Sequence, residues 1–203
     1  MTPDRKKPLR VLVVDDSPVN RHLITEALVG SGQIIVIGHA SNGEQALRMV
    51  AELEPDAVTL DVEMPKMDGF TFLRILMATR PIPVVVLSGY AQSEIVFKAL
   101  ELGAVDFVAK PEDLFSATKS TWRRELVNKL LAIHRQEAQP RRFDSPPEPF
   151  PQERKPLAQP ARFVVAVASS TGGPSALLHV LSRLPATFPG AVVIAQHMAP
   201  SFT

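Results

Sequence analysis

Five residues that could do chemistry together lie at the ends of short apolar runs in the first half of the chain. Asp15 and Asp16 end VLVVDD, Asp61 ends AVTLD, Ser88 ends VVVLS, and Lys110 follows VDFVA. Converging carboxylates repel one another unless a hard cation sits among them, and Mg2+ takes oxygen ligands while keeping several waters. A hydroxyl and an ammonium facing a metal-held carboxylate suit an arriving phosphoryl group. The cations neutralise its oxygens and the hydroxyl donates a hydrogen bond to one of them. Each residue taken singly has a plainer reading. Asp15 and Asp16 could cap the helix that starts at Pro18, Asp61 could be a solvated strand end, Ser88-Gly89 a turn, and Lys110 a surface charge before Pro111. Their shared position, always at the carboxyl end of a run, points to one site.

The elements that must hold these residues follow from two alternating periods. Short β-branched runs at 10–14, 34–38, 56–60, 83–87 and 105–109 predict strands, and helical spacing predicts helices over 18–29, 43–53, 69–79, 93–102 and 116–135. Ser17-Pro18 is a helix start, with a capping hydroxyl and proline at the first helical position. Asn42-Gly43 and Gly69 are expected in turns. Strands alternating with helices imply parallel pairing, right-handed crossovers and a sheet covered on both faces. Such open sheets bind ligands at the carboxyl ends of their strands, where the winding direction reverses. Strands one and three should be neighbours there, which would bring Asp15, Asp16 and Asp61 together.

Residues 136–161 differ in kind. Pro140, Pro146, Pro147, Pro149, Pro151, Pro156 and Pro160 are mixed with Arg, Glu and Gln, so an extended linker is expected. A second unit then begins, with FVVAVASS as a strand, STGGPSALLHVLSRL as a helix opened by glycines, and AVVIAQHM as another strand. Ser170 lies at the first turn. Free backbone N–H groups and the positive end of the helix dipole surround a residue so placed, which suits a nucleophile and an oxyanion. Glycine-rich turns of this kind also bind phosphate or only cap a helix. The sequence here is neither the G-x-S-x-G elbow nor a Walker loop. His197 ends the next strand. If the two strands are neighbours, it meets Ser170 at one sheet edge as its base. His179, inside the helical stretch, is given no catalytic role.

Composition excludes several classes. The 203 residues carry 22 Lys and Arg against 21 Asp and Glu, a net charge of +1, so nothing favours nucleic acid or an anionic membrane as partner. The absence of cysteine rules out disulfides, thiolate-bound zinc and a thiol nucleophile. The apolar run Val11–Val14 is too short for a signal peptide, and no stretch approaches the roughly 18 residues of a spanning helix. A soluble, cytoplasmic protein without membrane insertion is expected.

The pattern DD…D…S…K, with LDVEMPKMDG around the central aspartate and KP at the end, resembles the response-regulator receiver family over about residues 8–130. The resemblance implies a five-stranded, flavodoxin-like doubly wound α/β fold and a histidine kinase as phosphoryl donor. It implies Asp61 as phosphoacceptor, with Asp15, Asp16, Asp61 and the backbone carbonyl of Glu63 holding Mg2+. Ser88 and Lys110 would contact the phosphoryl group, and Phe107 matches an aromatic switch position, though a core strand residue reads the same way. The family often has a cis peptide before the proline matching Pro111. The combination with SSTGGP and VVIAQHMAPSFT resembles the chemotaxis protein-glutamate methylesterases, with residues 162–203 as the start of the catalytic domain. This second resemblance implies Ser170 as nucleophile, His197 as base and no cofactor for the ester chemistry. The substrates would be methylated glutamates, and certain glutamines, on the cytoplasmic domains of chemoreceptors. Phosphorylation at Asp61 would relieve inhibition by the docked receiver.

A triad needs a third group to hold the histidine, and in this family that aspartate lies far downstream of any residue here. About 40 residues also bury too little surface to fold alone, and their strands would leave unpaired edges. The expectation is an incomplete catalytic domain, inactive as an esterase, beside a competent receiver. The alternative of another class is a receiver acting as a phospho-accepting binding module or phosphate sink. A DNA-binding output is disfavoured, since no helix-turn-helix follows the linker.

Overall fold

The computed structural model describes residues 7–89, 93–110, 118–135, 161–185 and 187–197. The linker up to residue 160, the peptide bond before Pro111 and the residues after His197 lie outside the described residues, so those expectations are not addressed by it.

Five strands, β1 (Leu9–Val14), β2 (Ile34–Ala40), β3 (Ala57–Asp61), β4 (Val84–Ser88) and β5 (Asp106–Ala109), form one sheet in the order β2-β1-β3-β4-β5. All its pairings are parallel. The helices α1 (Pro18–Val29), α2 (Gly43–Leu53), α3 (Gly69–Thr79), α4 (Ser93–Glu101) and α5 (Thr118–Arg135) alternate with them. This is the doubly wound α/β architecture expected. The central strands are buried on both faces, and side-chain alternation divides the core in two. Leu12, Val14, Val58, Leu60, Val84 and Val86 pack with α2, α3 and α4. Val11, Val13, Ala57, Val85, Leu87 and Val108 pack with α1 and α5.

Side-chain caps set the helix starts. Ser17 Oγ accepts the Asn20 N–H, Asn42 Oδ1 that of Gln45, and Asp68 Oδ1 that of Thr71. Gly43 and Gly69 are the first residues of their helices, as the predicted ranges 43–53 and 69–79 have them. Close approach explains Gly69: a Cβ there would lie 2.4 Å from the Asp61 carbonyl oxygen. The second strand runs to Ala40, two residues past the predicted end, and its register against β1 shifts between Val11 and Leu12.

Beyond the linker, β6 (Phe163–Ser169), α6 (Gly173–Ser182) and β7 (Gly190–Gln196) form a two-stranded parallel unit in unbroken register. Its strands are largely exposed, with Val164 at 66% and Val193 at 59%. Among the described residues no helix is long and apolar enough to cross a membrane.

Replacing Gly69 by alanine should push the α3 terminus off the strand end that carries Asp61. The expected loss is roughly 1–3 kcal/mol of unfolding free energy, as for other overpacked sites, read by urea denaturation of the whole chain.

Candidate functional site

Strand register builds the acidic site. Val14 pairs with Leu60 across β1 and β3, so the next residues, Asp15 and Asp61, emerge side by side. Asp61 pairs with Leu87 on β4, and Ser88 with Ala109 on β5, which sets Ser88 and Lys110 on the same edge. One carboxylate oxygen from each of Asp15, Asp16 and Asp61 lies within 4.8 Å of the others. Asp15 and Asp61 are buried and Asp16 is exposed. Lys110 Nζ reaches Asp15 Oδ2 at 2.8 Å and Asp61 Oδ2 at 2.5 Å. The remaining oxygens are also used: Asp15 Oδ1 accepts the Ser17 N–H at 2.9 Å, and Asp61 Oδ1 accepts the Glu63 N–H at 3.3 Å. Arg21 holds the backbone from below, donating to the carbonyls of Asp15 and Asp16.

The carboxylates outnumber the cations beside them: Asp15, Asp16 and Asp61 stand against the Lys110 ammonium and the Arg21 guanidinium on the Asp15 and Asp16 carbonyls. Burial pushes the Asp61 carboxyl above its usual range, against the pull of Lys110, and Asp15 adds to the rise. Burial pulls the Lys110 ammonium down, but Asp61 and Asp15 together raise it, so it stays charged. A partly buried, all-oxygen, over-negative cluster open on the Asp16 side fits a hard divalent cation such as Mg2+. Ser88 is buried at the strand end, and its carbonyl accepts the Lys110 N–H at 2.7 Å. Phe107 is buried in the core on the α2–α4 side of the sheet, so its ring points inward. Glu63 is exposed beside the site.

The second unit repeats the device of register. Ser169 pairs with Gln196, and the His197 N–H donates to the Ser169 carbonyl at 2.9 Å. Ser170 and His197 therefore face each other one step beyond the strands, with Ser170 Oγ 3.4 Å from His197 Nδ1. Both are exposed. Among the described residues no carboxylate contacts the imidazole. Gly172 takes a left-handed conformation, φ 73°, that turns the chain from Ser170 into α6. His179 contacts Arg183 along α6, away from the Ser170 turn.

One contact was not foreseen. The Gly172 N–H, two residues past Ser170, donates to Asp106 Oδ2 of β5 at 2.8 Å. Asp106 is 1% exposed, and its other oxygen accepts from Lys129 Nζ at 2.9 Å and from the Phe107 N–H at 2.8 Å. Lys129 Nζ also donates to the Phe107 carbonyl and lies 5.0 Å from the centre of its ring. Leu178 of α6 packs on the core cluster that contains Phe107, so two kinds of contact join the units. The sole sequence signal for Asp106 is a carboxylate opening a strand that is otherwise apolar.

The fold and this acidic strand-end site are those of a receiver-type domain. The response regulator receiver domain model matches residues 11–119, and the chain belongs to that family. The CheB methylesterase model matches residues 165–203. A protein-glutamate methylesterase/protein-glutamine glutaminase of Anaeromyxobacter dehalogenans is 48% identical across 98% of this chain and 54% of its own length. Another, from Geobacter sulfurreducens, is 42% identical across 97% of this chain and 59% of its own length. The chain thus spans little more than half the length of the curated relatives it matches. The response regulator domain of Thermotoga maritima CheB superposes with a TM-score of 0.60 at 33% identity, covering 66% of this chain and all of that one.

Mg2+ should raise the melting temperature of the chain, since a ligand that binds only the folded state at a hundred times its Kd adds about 2.7 kcal/mol. Asp16→Asn and Asp61→Asn should each abolish that rise. Asp61→Asn should itself melt higher than wild type in chelator, because it removes one of the crowded carboxylates. Calorimetry with and without Mg2+ reads both effects, and a melting temperature indifferent to the cation would count against the site.

Proposed function

We propose that Asp61 accepts a phosphoryl group from a chemotaxis histidine kinase, and that this controls a serine hydrolase centred on Ser170 and His197. Its substrates are glutamate methyl esters, and certain glutamines, on the cytoplasmic domains of chemoreceptors. The observation that carries the first half is the cluster of Asp15, Asp16 and Asp61 closed by Lys110. Bound Mg2+, held by Asp15, Asp16, Asp61 and the Glu63 carbonyl, supplies positive charge against the oxygens of the transferred group. An oxygen of Asp61 attacks phosphorus, and the phosphohistidine nitrogen leaves. Lys110 is poised to exchange the Asp61 carboxylate for the new phosphoryl oxygens while keeping Asp15. Ser88 supplies a hydroxyl on the same edge, and Phe107 is the neighbouring ring that registers the change.

In the second half, Ser170 Oγ attacks the ester carbonyl carbon while His197 takes its proton. The proton then passes to the departing methanol, and water hydrolyses the acyl-serine by the same route. Amide substrates follow the same course with ammonia leaving. The N–H groups of the turn that enters α6, among them that of Gly172, are the candidate donors for the oxyanion. The contact of Asp106 with the Gly172 N–H supports control by docking: while it holds, a receiver carboxylate sits on one of those donors. The Asp106–Lys129–Phe107 cluster offers a physical route from the phosphorylation site to that contact. The sequence relationship to the methylesterases supports the substrate class.

Intact mass after incubation with Mg2+ and acetyl phosphate should show one phosphoryl adduct, absent in Asp61→Asn. No adduct in a folded, Mg2+-containing sample would sink the receiver chemistry. Adduct formation that left the Ser170 turn undisturbed would favour the phosphate-sink reading instead. Separately, hydrogen exchange at the Gly172 amide should be slow in the resting chain and should speed up at least tenfold in Asp106→Ala and on phosphorylation. Unchanged protection in both would remove the docking contact from the mechanism.

A further inference from the structure

The side chain of Gln196 has no role in the chemistry above, yet it bonds to Ser169, Ser170 and His197 together. Gln196 closes β7 opposite Ser169, the last residue of β6. Its Oε1 accepts the Ser169 hydroxyl proton at 2.6 Å. Its Nε2 donates to the Ser170 carbonyl at 3.1 Å and to the His197 carbonyl at 2.8 Å. A single planar amide thus uses its acceptor and both donors to tie together the backbones of the two residues whose side chains meet at 3.4 Å. The Ser170 carbonyl is held from the other side by the Gly173 N–H at 2.8 Å.

Gly173 makes room for this. A Cβ at that position would lie 2.2 Å from Gln196 Oε1 and within 2.9 Å of Ser169 Cβ and Oγ. The first helical residue must therefore lack a side chain for the amide to reach across. Glycine at 173 and glutamine at 196 form one steric and hydrogen-bonding unit, although they stand far apart in sequence and flank the reacting pair rather than join it.

We propose that Gln196 is the positioning residue of the Ser170–His197 pair, setting the spacing of hydroxyl and imidazole through the two carbonyls it holds, with Gly173 as the gap that admits it. This rests on the reading of Ser170 as nucleophile and His197 as base. Two replacements separate the parts of the interaction. Gln196→Met removes all three hydrogen bonds at similar length. Gln196→Glu keeps the acceptor for Ser169 but turns carboxylate oxygen toward two carbonyls.

The test uses the whole chain and a fluorophosphonate probe, with Ser170→Ala as the blank. Labelling of Ser170 should slow at least tenfold in Gln196→Met, Gln196→Glu and Gly173→Ala, with the circular dichroism of the folded chain preserved. The double variant Gln196→Met/Gly173→Ala should be no slower than either single one, because both act on one amide. The ring 15N shifts of His197 should move in each variant, a signature that general loosening elsewhere would not produce. Wild-type labelling rates and His197 shifts retained in both Gln196 variants would overturn the inference. If wild-type Ser170 does not label at all, as an incomplete triad would allow, the inference is judged by the Gln196 carboxamide protons. Their exchange should be at least tenfold slower than that of exposed Gln33; equal rates would overturn it.

Discussion

The ammonium of Lys110 between Asp15 and Asp61 is the contact on which the receiver half depends. It joins the end of β5 to the ends of β1 and β3, across the reversal point of the sheet. Two buried carboxylates cannot both stay ionised side by side without a cation, and removing the lysine from such a cluster leaves buried charge uncompensated, a loss that commonly costs about 3–5 kcal/mol. Lys110 thus does two things at once. It offsets the repulsion between the two carboxylates, and in the proposed reaction its charge is the one that a phosphoryl group on Asp61 would claim. The remaining excess of negative charge is what leaves room for a divalent cation.

The second half solves a similar problem by other means. Parallel register again sets two strand-end residues face to face, but a neutral amide rather than an ion pair holds them. The surroundings differ as well: helices cover both faces of the β1–β5 sheet, while Val164 of β6 and Val193 of β7 are exposed in this chain. Asp106 joins the halves. It is a carboxylate buried at the opening of β5, satisfied by Lys129 on one oxygen and by the Gly172 N–H on the other. The same Lys129 lies against Phe107, so the joint and the inward-facing ring share a cation.

Most of the receiver was legible in the sequence. The bounds of α1, α2 and α3 follow from proline or glycine at the first helical position and capping side chains just before it. The inner strands follow from near-continuous apolar runs, which only a sheet covered on both sides can use. β2 was read two residues short because Gly38 and His39 interrupt its apolar pattern; it is an edge strand, half exposed, and tolerates them. The acidic site was legible because its residues share the ends of strands. Asp106 was not, since its partners are a lysine 23 residues away and a backbone N–H 66 residues away, and neither spacing has a period. Gln196 lies inside the apolar AVVIAQHM run, and its role was not legible there because it acts on backbone carbonyls that a sequence does not display.

Local chemistry alone settled which elements form and which residue types crowd their ends: periodicity, caps and apolar runs act over a few residues, so the linear order contains them. Only the tertiary structure decided the pairings. Strand register chose Asp15 to stand beside Asp61 and Ser170 beside His197, and packing chose Asp106 to meet the turn of α6 and Gly69 to touch the Asp61 carbonyl. These depend on distances between atoms far apart in the chain, set by the closing of two sheets and the burial of charge. No residue has that information until the others are in place.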